Sequence, residues 1–189
     1  MCDPEGVFRT HELEQLGVSR SRLARLVAAG KAERIARGLY HLGQAEVSES
    51  HSLALVGKRV PKAIICLLSA LSYHGIGTQL PHQVWIAIPT KARRPHVPEL
   101  PLRVVRFSGA MLYYGVETRL VEGVAIRITN PARTVVDCFR FRSTLGLDVA
   151  LEALRESLRG RHATRDQIRR AAEACRALTV VRPYLQAVS

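Results

Sequence analysis

The stretch from Thr10 to Leu42, THELEQLGVSRSRLARLVAAGKAERIARGLYHL, decides the fold. It reads as a helix-turn-helix followed at once by a basic β-hairpin, the pattern of a winged helix. A first helix over Thr10 to Leu16 opens on a Thr N-cap, with Glu12 and Glu14 in its first turns where the macrodipole favours acids, and Gly17 ends it. Ser19 caps a second helix. There Leu23, Leu26 and Val27 recur at i, i+3, i+4 and are expected to face a core, which turns Arg20, Ser21, Arg22 and Arg25 outward. Gly30 stops this helix. Two β-prone runs, Glu33 to Ala36 and Leu39 to Leu42, flank Arg37-Gly38, where glycine supplies the positive φ of a tight hairpin.

Charge is placed with equal definition. From Ser19 to Arg37 lie Arg20, Arg22, Arg25, Lys31, Arg34 and Arg37 against Glu33 alone, a net +5. An arginine-bearing helix face suits the major groove and a basic hairpin suits the adjoining phosphates. The candidate DNA-binding residues are therefore Ser19, Arg20, Ser21, Arg22, Arg25, Lys31, Arg34 and Arg37, with Arg22 and Arg25 expected at base edges and Arg34 and Arg37 on phosphates.

The whole chain of 189 residues has a formal net charge of +12, which calls for a polyanion or an acidic protein surface as partner. Residues 1–47 carry only +1 of this, so residues 48–189 hold +11. The excess is densest where Lys58, Arg59, Lys62, Lys91, Arg93, Arg94, Arg103 and Arg106 face only Glu99. Hydrophobic content of 47% with 5% aromatics fits an aliphatic core, and no run of 18 or more apolar residues is present to span a membrane. The start, MCDPEGVF, does not read as an export signal, so a cytoplasmic setting is expected.

Cys2, Cys66, Cys138 and Cys175 are scattered without a C-x-x-C pair, and the seven His residues form no zinc motif. No metal, cofactor or catalytic residue is assigned. Cys66 and Cys138 sit in apolar runs, as small hydrophobes do.

Gly43 to Ser50 is small and polar, the expected linker between a domain over 1–47 and one over 48–189. Beyond it the pattern predicts a helix over Ser52 to Val60, a strand or helix start over Ala63 to Leu68, and a short helix from Ser69 closed by Gly75 with His74 at its end. Strands follow over Gln83 to Ile88, Leu102 to Phe107 and Val124 to Ile128, with KARRPHVPELP as an exposed loop. Asn130-Pro131 leads into a helix over Ala132 to Phe141. In the helical C-terminal segment Leu147, Leu151, Leu154 and Leu158 form one expected buried stripe, Thr164 and Gln167 a capping box, and Pro183 the first turn of a last helix. The fold class is α+β: a winged helix-turn-helix, then a mixed α/β domain ending in a helical segment.

Five segments in order, GVFRTHELEQLGVSRSRLARLVAAGKAERIARGLYHL, HSLALVGKRVPKAIICLLSALSYHGIGTQLPHQVWIAIP, LRVVRFSG, GVAIRITNPARTVVDCFRFRSTLGLDVALEALRESLR and VVRPYL, resemble the AbiEi antitoxins of abortive-infection toxin-antitoxin systems. The resemblance implies a winged helix that represses its own operon at inverted repeats in the promoter. It also implies a C-terminal domain that counters a co-encoded AbiEii-like toxin, similar to a nucleotidyltransferase; here the surface around Lys58, Arg59, Lys62, Lys91, Arg93 and Arg94 is the candidate. The family usually carries another helix before the segment equivalent to GVFRTHEL, so the first helix is expected to be missing or replaced, leaving Leu13, Leu16, Leu23 and Leu26 less well covered.

Two rival classes follow from the same residues. A nuclease needs clustered acids, usually with a lysine. Asp137, Asp148, Glu152 and Glu156 instead fit helices, with Glu152 and Glu156 on one helix face and Arg155 and Arg159 nearby, which reads as ordinary ion-pair support along a helix. A pure toxin-docking module is the other class, and the salt dependence of binding to a promoter fragment discriminates it.

Overall fold

The computed structural model describes residues 6–42, 51–98 and 100–188. The expected linker, Gly43 to Ser50, therefore lies outside the described residues. The N-terminal part runs β1 (Gly6–Arg9), α1 (Thr10–Gln15), α2 (Arg20–Ala28), β2 (Ala32–Ala36) and β3 (Leu39–Leu42), with the strands in the antiparallel order β1-β3-β2. Helix α1 is capped one residue earlier than the sequence suggests. Arg9 is the N-cap, and its backbone N–H donates to Glu12 Oε2 at 2.7 Å, so the acid reaching back, and not the Thr10 hydroxyl, satisfies the first turn. Ser19 caps α2 as expected, its hydroxyl accepting from the Arg22 N–H at 3.3 Å. Gly38, at φ +73, closes the β2-β3 hairpin.

Leu13, Val18, Leu23, Ala32 and Leu42 form a small core here. Leu13 and Leu23, expected to be poorly covered, are buried, whereas Leu16 is 57% and Val27 38% exposed. Val27 thus departs from the expected inward stripe: the hairpin covers only the Leu23 side of α2, with Leu26 half-buried at its edge.

The rest of the chain is built on a mixed sheet in the order β6-β5-β4-β8-β7. Its strands are β4 (Ile64–Ile65), β5 (Val84–Pro89), β6 (Leu102–Phe107), β7 (Val116–Val121) and β8 (Val124–Thr129), with β5-β6 and β4-β8 parallel and the other pairs antiparallel. Strand β7 was not anticipated, since VETRLV is half polar and lies at the sheet edge, where one buried face is not required. Both faces of the sheet are covered, which is why β5 reads as a continuous apolar run. Trp85 and Ala87 enter one core while Val84, Ile86 and Ile88 enter the other, the period-2 alternation of a strand.

On the first face pack α4 (Leu67–His74), α5 (Pro131–Arg140), α7 (Leu147–Arg159), α8 (Arg165–Ala174) and α9 (Leu178–Ala187), with the short α6 (Arg142–Leu145) between α5 and α7. Helix α5 is the hub. Every residue from Ala132 to Phe139 is buried. Asn130 caps it, accepting from the Arg133 N–H at 3.0 Å, and Pro131 occupies its first turn.

Two sequence expectations shift in this layer. In α7 the buried face is Val149, Ala150, Ala153, Leu154 and Ser157, while Leu147 is 38% exposed and Leu151 and Leu158 are half-buried. Small residues set that face because they let α7 approach α5 closely. Pro183 lies inside α9, which begins earlier at Leu178. The hydrogen bond it forgoes belongs to the carbonyl of Thr179, an exposed residue.

On the second face α3 (His51–Arg59) lies across β8. A Cβ added at Gly57 would stand 2.9 Å from Ile126 and Val124 side-chain atoms, so glycine is what permits this approach. Val7 of β1 and Leu39 of β3 share the same buried cluster with Leu53, Val56, Val121 and Val124, so the N-terminal sheet packs onto this face.

Polar contacts complete the junction. The Lys58 ammonium donates to Glu12 Oε2 at 2.6 Å and Oε1 at 2.7 Å, and the Arg9 guanidinium donates to the Lys58 carbonyl. Burial works against ionising Glu12, but the Arg9 N–H and the Lys58 ammonium outweigh it and hold the carboxyl below its ordinary range. A lowered carboxyl pKa stabilises the fold above the unfolded-state value, and that contribution disappears as pH falls through the folded-state value. Glu12→Gln is expected to cost about 1 kcal/mol near neutral pH and to flatten the acid limb of stability, as chemical denaturation across a pH series will show.

Among the described residues no helix is long and apolar enough to cross a membrane.

Candidate nucleic-acid interface

The α2 face opposite its core is polar and basic. Arg20, Ser21 and Arg25 are exposed and Arg22 is half-buried, while the Ser19 and Ser21 hydroxyls stand 3.0 Å apart at the helix start. Arg20 Nε donates to Glu14 at 2.8 Å, with the arginine side chain still 82% exposed. Such a surface pair is worth at most about 1 kcal/mol, so a phosphate can displace it. Arg25 sits in the last turn of α2, where its charge favours the negative end of the dipole.

The hairpin continues this basic surface. Lys31, Arg34 and Arg37 are exposed, with Arg37 next to the turn glycine. A register shift between Arg34 and Ala36 marks a bulge in β2, which re-aims side chains near the hairpin tip. Thus all eight residues singled out from the sequence lie on α2, its cap, the connection after it or the hairpin beyond, and seven are exposed.

The second basic group divides on inspection. Lys58 is turned inward: its side chain is 14% exposed and occupied by Glu12. Arg59 is half-buried. Lys62, Lys91, Arg93 and Arg94 are exposed. Lys91, Arg93 and Arg94 stand on the connection between β5 and β6, whose start is braced. Arg106 Nη1 donates to the carbonyls of Pro89 at 3.0 Å, Thr90 at 3.1 Å and also Ala92, while the Ala92 N–H returns to Pro89 at 2.9 Å. Arg103 is likewise committed, its guanidinium 5.5 Å over the Trp85 ring.

Arg103 and Arg106 stay exposed, as expected of surface charge, but their guanidiniums are engaged. The available signal was Arg106 next to Phe107 in β6, in register with Ile88 and beside Pro89, where a loop leaves carbonyls without ladder partners.

The acids considered for catalysis are held separately. Asp137 is fully buried and accepts from Arg133 Nε at 2.8 Å. Burial raises its pKa to about 6 while the Arg133 charge pulls it down. Glu156 pairs with Arg159 at 3.0 Å, but Glu152 does not join this helix face: it accepts from the Thr78 hydroxyl and N–H at 2.8 and 3.0 Å. His74 donates from Nε2 to the Thr129 carbonyl at 2.7 Å and is packed between α4 and β8, and burial lowers its pKa. Cys66, Cys138 and Cys175 are buried, and desolvation pushes their thiols up, which leaves them inert.

A basic face on α2 joined to a basic hairpin defines the surface. Residues 5–43, the segment that carries it, match the family model described as the transcriptional regulator, AbiEi antitoxin. The resemblance drawn from the sequence therefore stands over this N-terminal segment. The crystal structure of the RV2827C protein from Mycobacterium tuberculosis is similar in fold, with a TM-score of 0.59 over 98% of this chain and 76% of that one, at 16% identity. No curated protein matches the chain.

Proposed function

We propose that this chain is a DNA-binding transcriptional autorepressor and antitoxin, without catalytic activity, acting in the cytoplasm. Helix α2 and the β2-β3 hairpin serve as recognition helix and wing of a winged helix-turn-helix over 1–47, reading inverted repeats in the chain's own promoter. The larger unit, 48–189, counters a nucleotidyltransferase-like toxin encoded with it. The observation that carries this reading is the exposed row Arg20, Ser21, Arg25, Lys31, Arg34 and Arg37, lying wholly inside the segment that matches the AbiEi regulator family. A non-catalytic role is supported by the engagement of Asp137 with Arg133, Glu152 with Thr78 and Glu156 with Arg159.

The test is binding to a fragment of the promoter over a salt series. Phosphate neutralisation gives log affinity falling linearly with log salt, at roughly 0.9 per phosphate contact. A flat salt response, or equal affinity for promoter and unrelated DNA, contradicts the reading.

For the antitoxin half, Lys91, Arg93 and Arg94 are the candidate contacts, held out by the Arg106 brace. Replacing all three with Ala is expected to change stability by under about 0.5 kcal/mol per site and to reduce growth protection when the toxin is co-expressed. A stable, fully protective triple variant would remove this loop from the mechanism.

A further inference from the structure

Three potential metal ligands from three separate elements meet where the N-terminal sheet docks on the rest of the chain. His41 lies near the end of β3, His51 opens α3, and Glu122 is in the β7-β8 turn. His51 Nδ1 is 2.9 Å and His41 Nε2 4.0 Å from the same oxygen, Glu122 Oε2. One donor atom from each residue lies within 4.8 Å of the other two. The side chains are 11%, 19% and 17% exposed for His41, His51 and Glu122, so the cluster is sheltered without being sealed.

Hydrogen bonding among these groups does not account for His41. Its Nε2, the atom that faces Glu122, stands beyond hydrogen-bond reach of it, and its Nδ1 is buried with no partner among the described residues. A buried polar atom left without a partner is costly, so the arrangement is more intelligible when the imidazole gains one. The backbone adds a second oddity: Glu122 has φ +48, ahead of Gly123 at φ +73. Asn or Gly suits such a hairpin position better than glutamate, so the carboxylate is bought at some backbone cost.

We propose that His41, His51 and Glu122 form a binding site for a divalent zinc-like cation, with water completing a tetrahedron. Two imidazoles and one carboxylate are a borderline donor set that suits zinc. Zinc–ligand bonds of about 2.0–2.2 Å place tetrahedral donors roughly 3.3 Å apart. The observed 2.9 and 4.0 Å separations to Glu122 bracket that value and the His41–His51 separation is within 4.8 Å, so closing the site on an ion takes donor shifts on the order of 1 Å. The ion would tie β3, whose partner β2 carries Arg34, to α3 and the β7-β8 turn. Its role is a clamp between the DNA-contacting unit and the larger sheet, beside the Lys58–Glu12 contact.

The experiment uses full-length, tag-free protein freed of metal by chelator dialysis, then titrated with Zn²⁺ against a chromophoric competitor. One Zn²⁺ per folded chain is expected, with a raised thermal midpoint. His51→Gln and Glu122→Gln should each weaken uptake on the order of 10- to 100-fold and abolish the shift in midpoint, while keeping native circular dichroism without metal. Co²⁺ should give a tetrahedral visible spectrum without a thiolate charge-transfer band. Absence of stoichiometric uptake overturns the proposal. So does uptake unchanged in both variants, or a thiolate band, which would assign the ion to cysteine.

Discussion

Replacing Arg133 with Met is expected to destabilise the protein by about 3–5 kcal/mol, because it strands a carboxylate at the centre of the fold. Arg133 and Asp137 are both fully buried, one helical turn apart on α5. The guanidinium also donates to the carbonyls of Tyr114 at 2.7 Å and Met111 at 3.2 Å, and lies 5.0 Å from the Phe107 ring centre. It thus fastens the hub helix to the segment leading into β7. Gly115 belongs to this arrangement, since a Cβ there would stand 2.7 Å from Arg133 Cβ.

The double variant Arg133→Met, Asp137→Leu removes both charges and should recover much of the loss, since buried ion pairs can be replaced by apolar groups at little net cost. The pH dependence follows with a definite sign. Asp137 is pushed from 3.8 to about 6 in the folded protein, so its contribution to stability is greatest below the unfolded value and is lost as pH rises through about 6. The wild type minus double-variant difference should show that decline between those values. Urea unfolding of both proteins over the pH series measures it; equal stability of single and double variants would mean the pair is not coupled.

The second large effect is expected on DNA. Arg22→Ala should lower affinity for the cognate promoter site by about 1–3 kcal/mol while scarcely changing binding to unrelated DNA, as loss of a base contact does. Arg37→Ala should weaken both alike and reduce the salt slope by about one contact, as loss of a phosphate contact does. The contrast between a helix position and a hairpin position gives the two variants their force. If Arg37→Ala changes preference and Arg22→Ala does not, the roles of helix and hairpin are reversed.

The N-terminal elements were legible because their signals are local. Ser19, Gly38 and the spacing of Leu23 and Leu26 act over a few residues, and the structure places the cap, the turn and Leu23 where those rules put them, with Leu26 at the core edge and Val27 outside it. The exposed basic face was legible for the same reason, since helix phase turns Ser21 and Arg25 away from Leu23, while Arg20 is exposed at the first position of the helix.

What the sequence could not supply depends on partners far along the chain. Lys58 reads as surface charge until Glu12, 46 residues earlier, is found beside it. The Arg133–Asp137 pair has ordinary i, i+4 spacing, and only the surrounding helices and sheet make it a buried one. The α7 stripe was misphased because leucine spacing was weighted above the small residues that set helix approach. His41, His51 and Glu122 match no spacing motif, since they converge through the docking of two sheets.

The central claim, that α2 reads a specific DNA sequence, is tested most directly by fluorescence anisotropy with a labelled promoter inverted repeat. Wild type is compared with the Arg20→Ala, Arg22→Ala, Arg25→Ala triple variant at one fixed salt concentration. The account predicts preferential promoter binding by the wild type and a triple variant that is folded but binds promoter no better than unrelated DNA. Unchanged promoter affinity in the folded triple variant would contradict it.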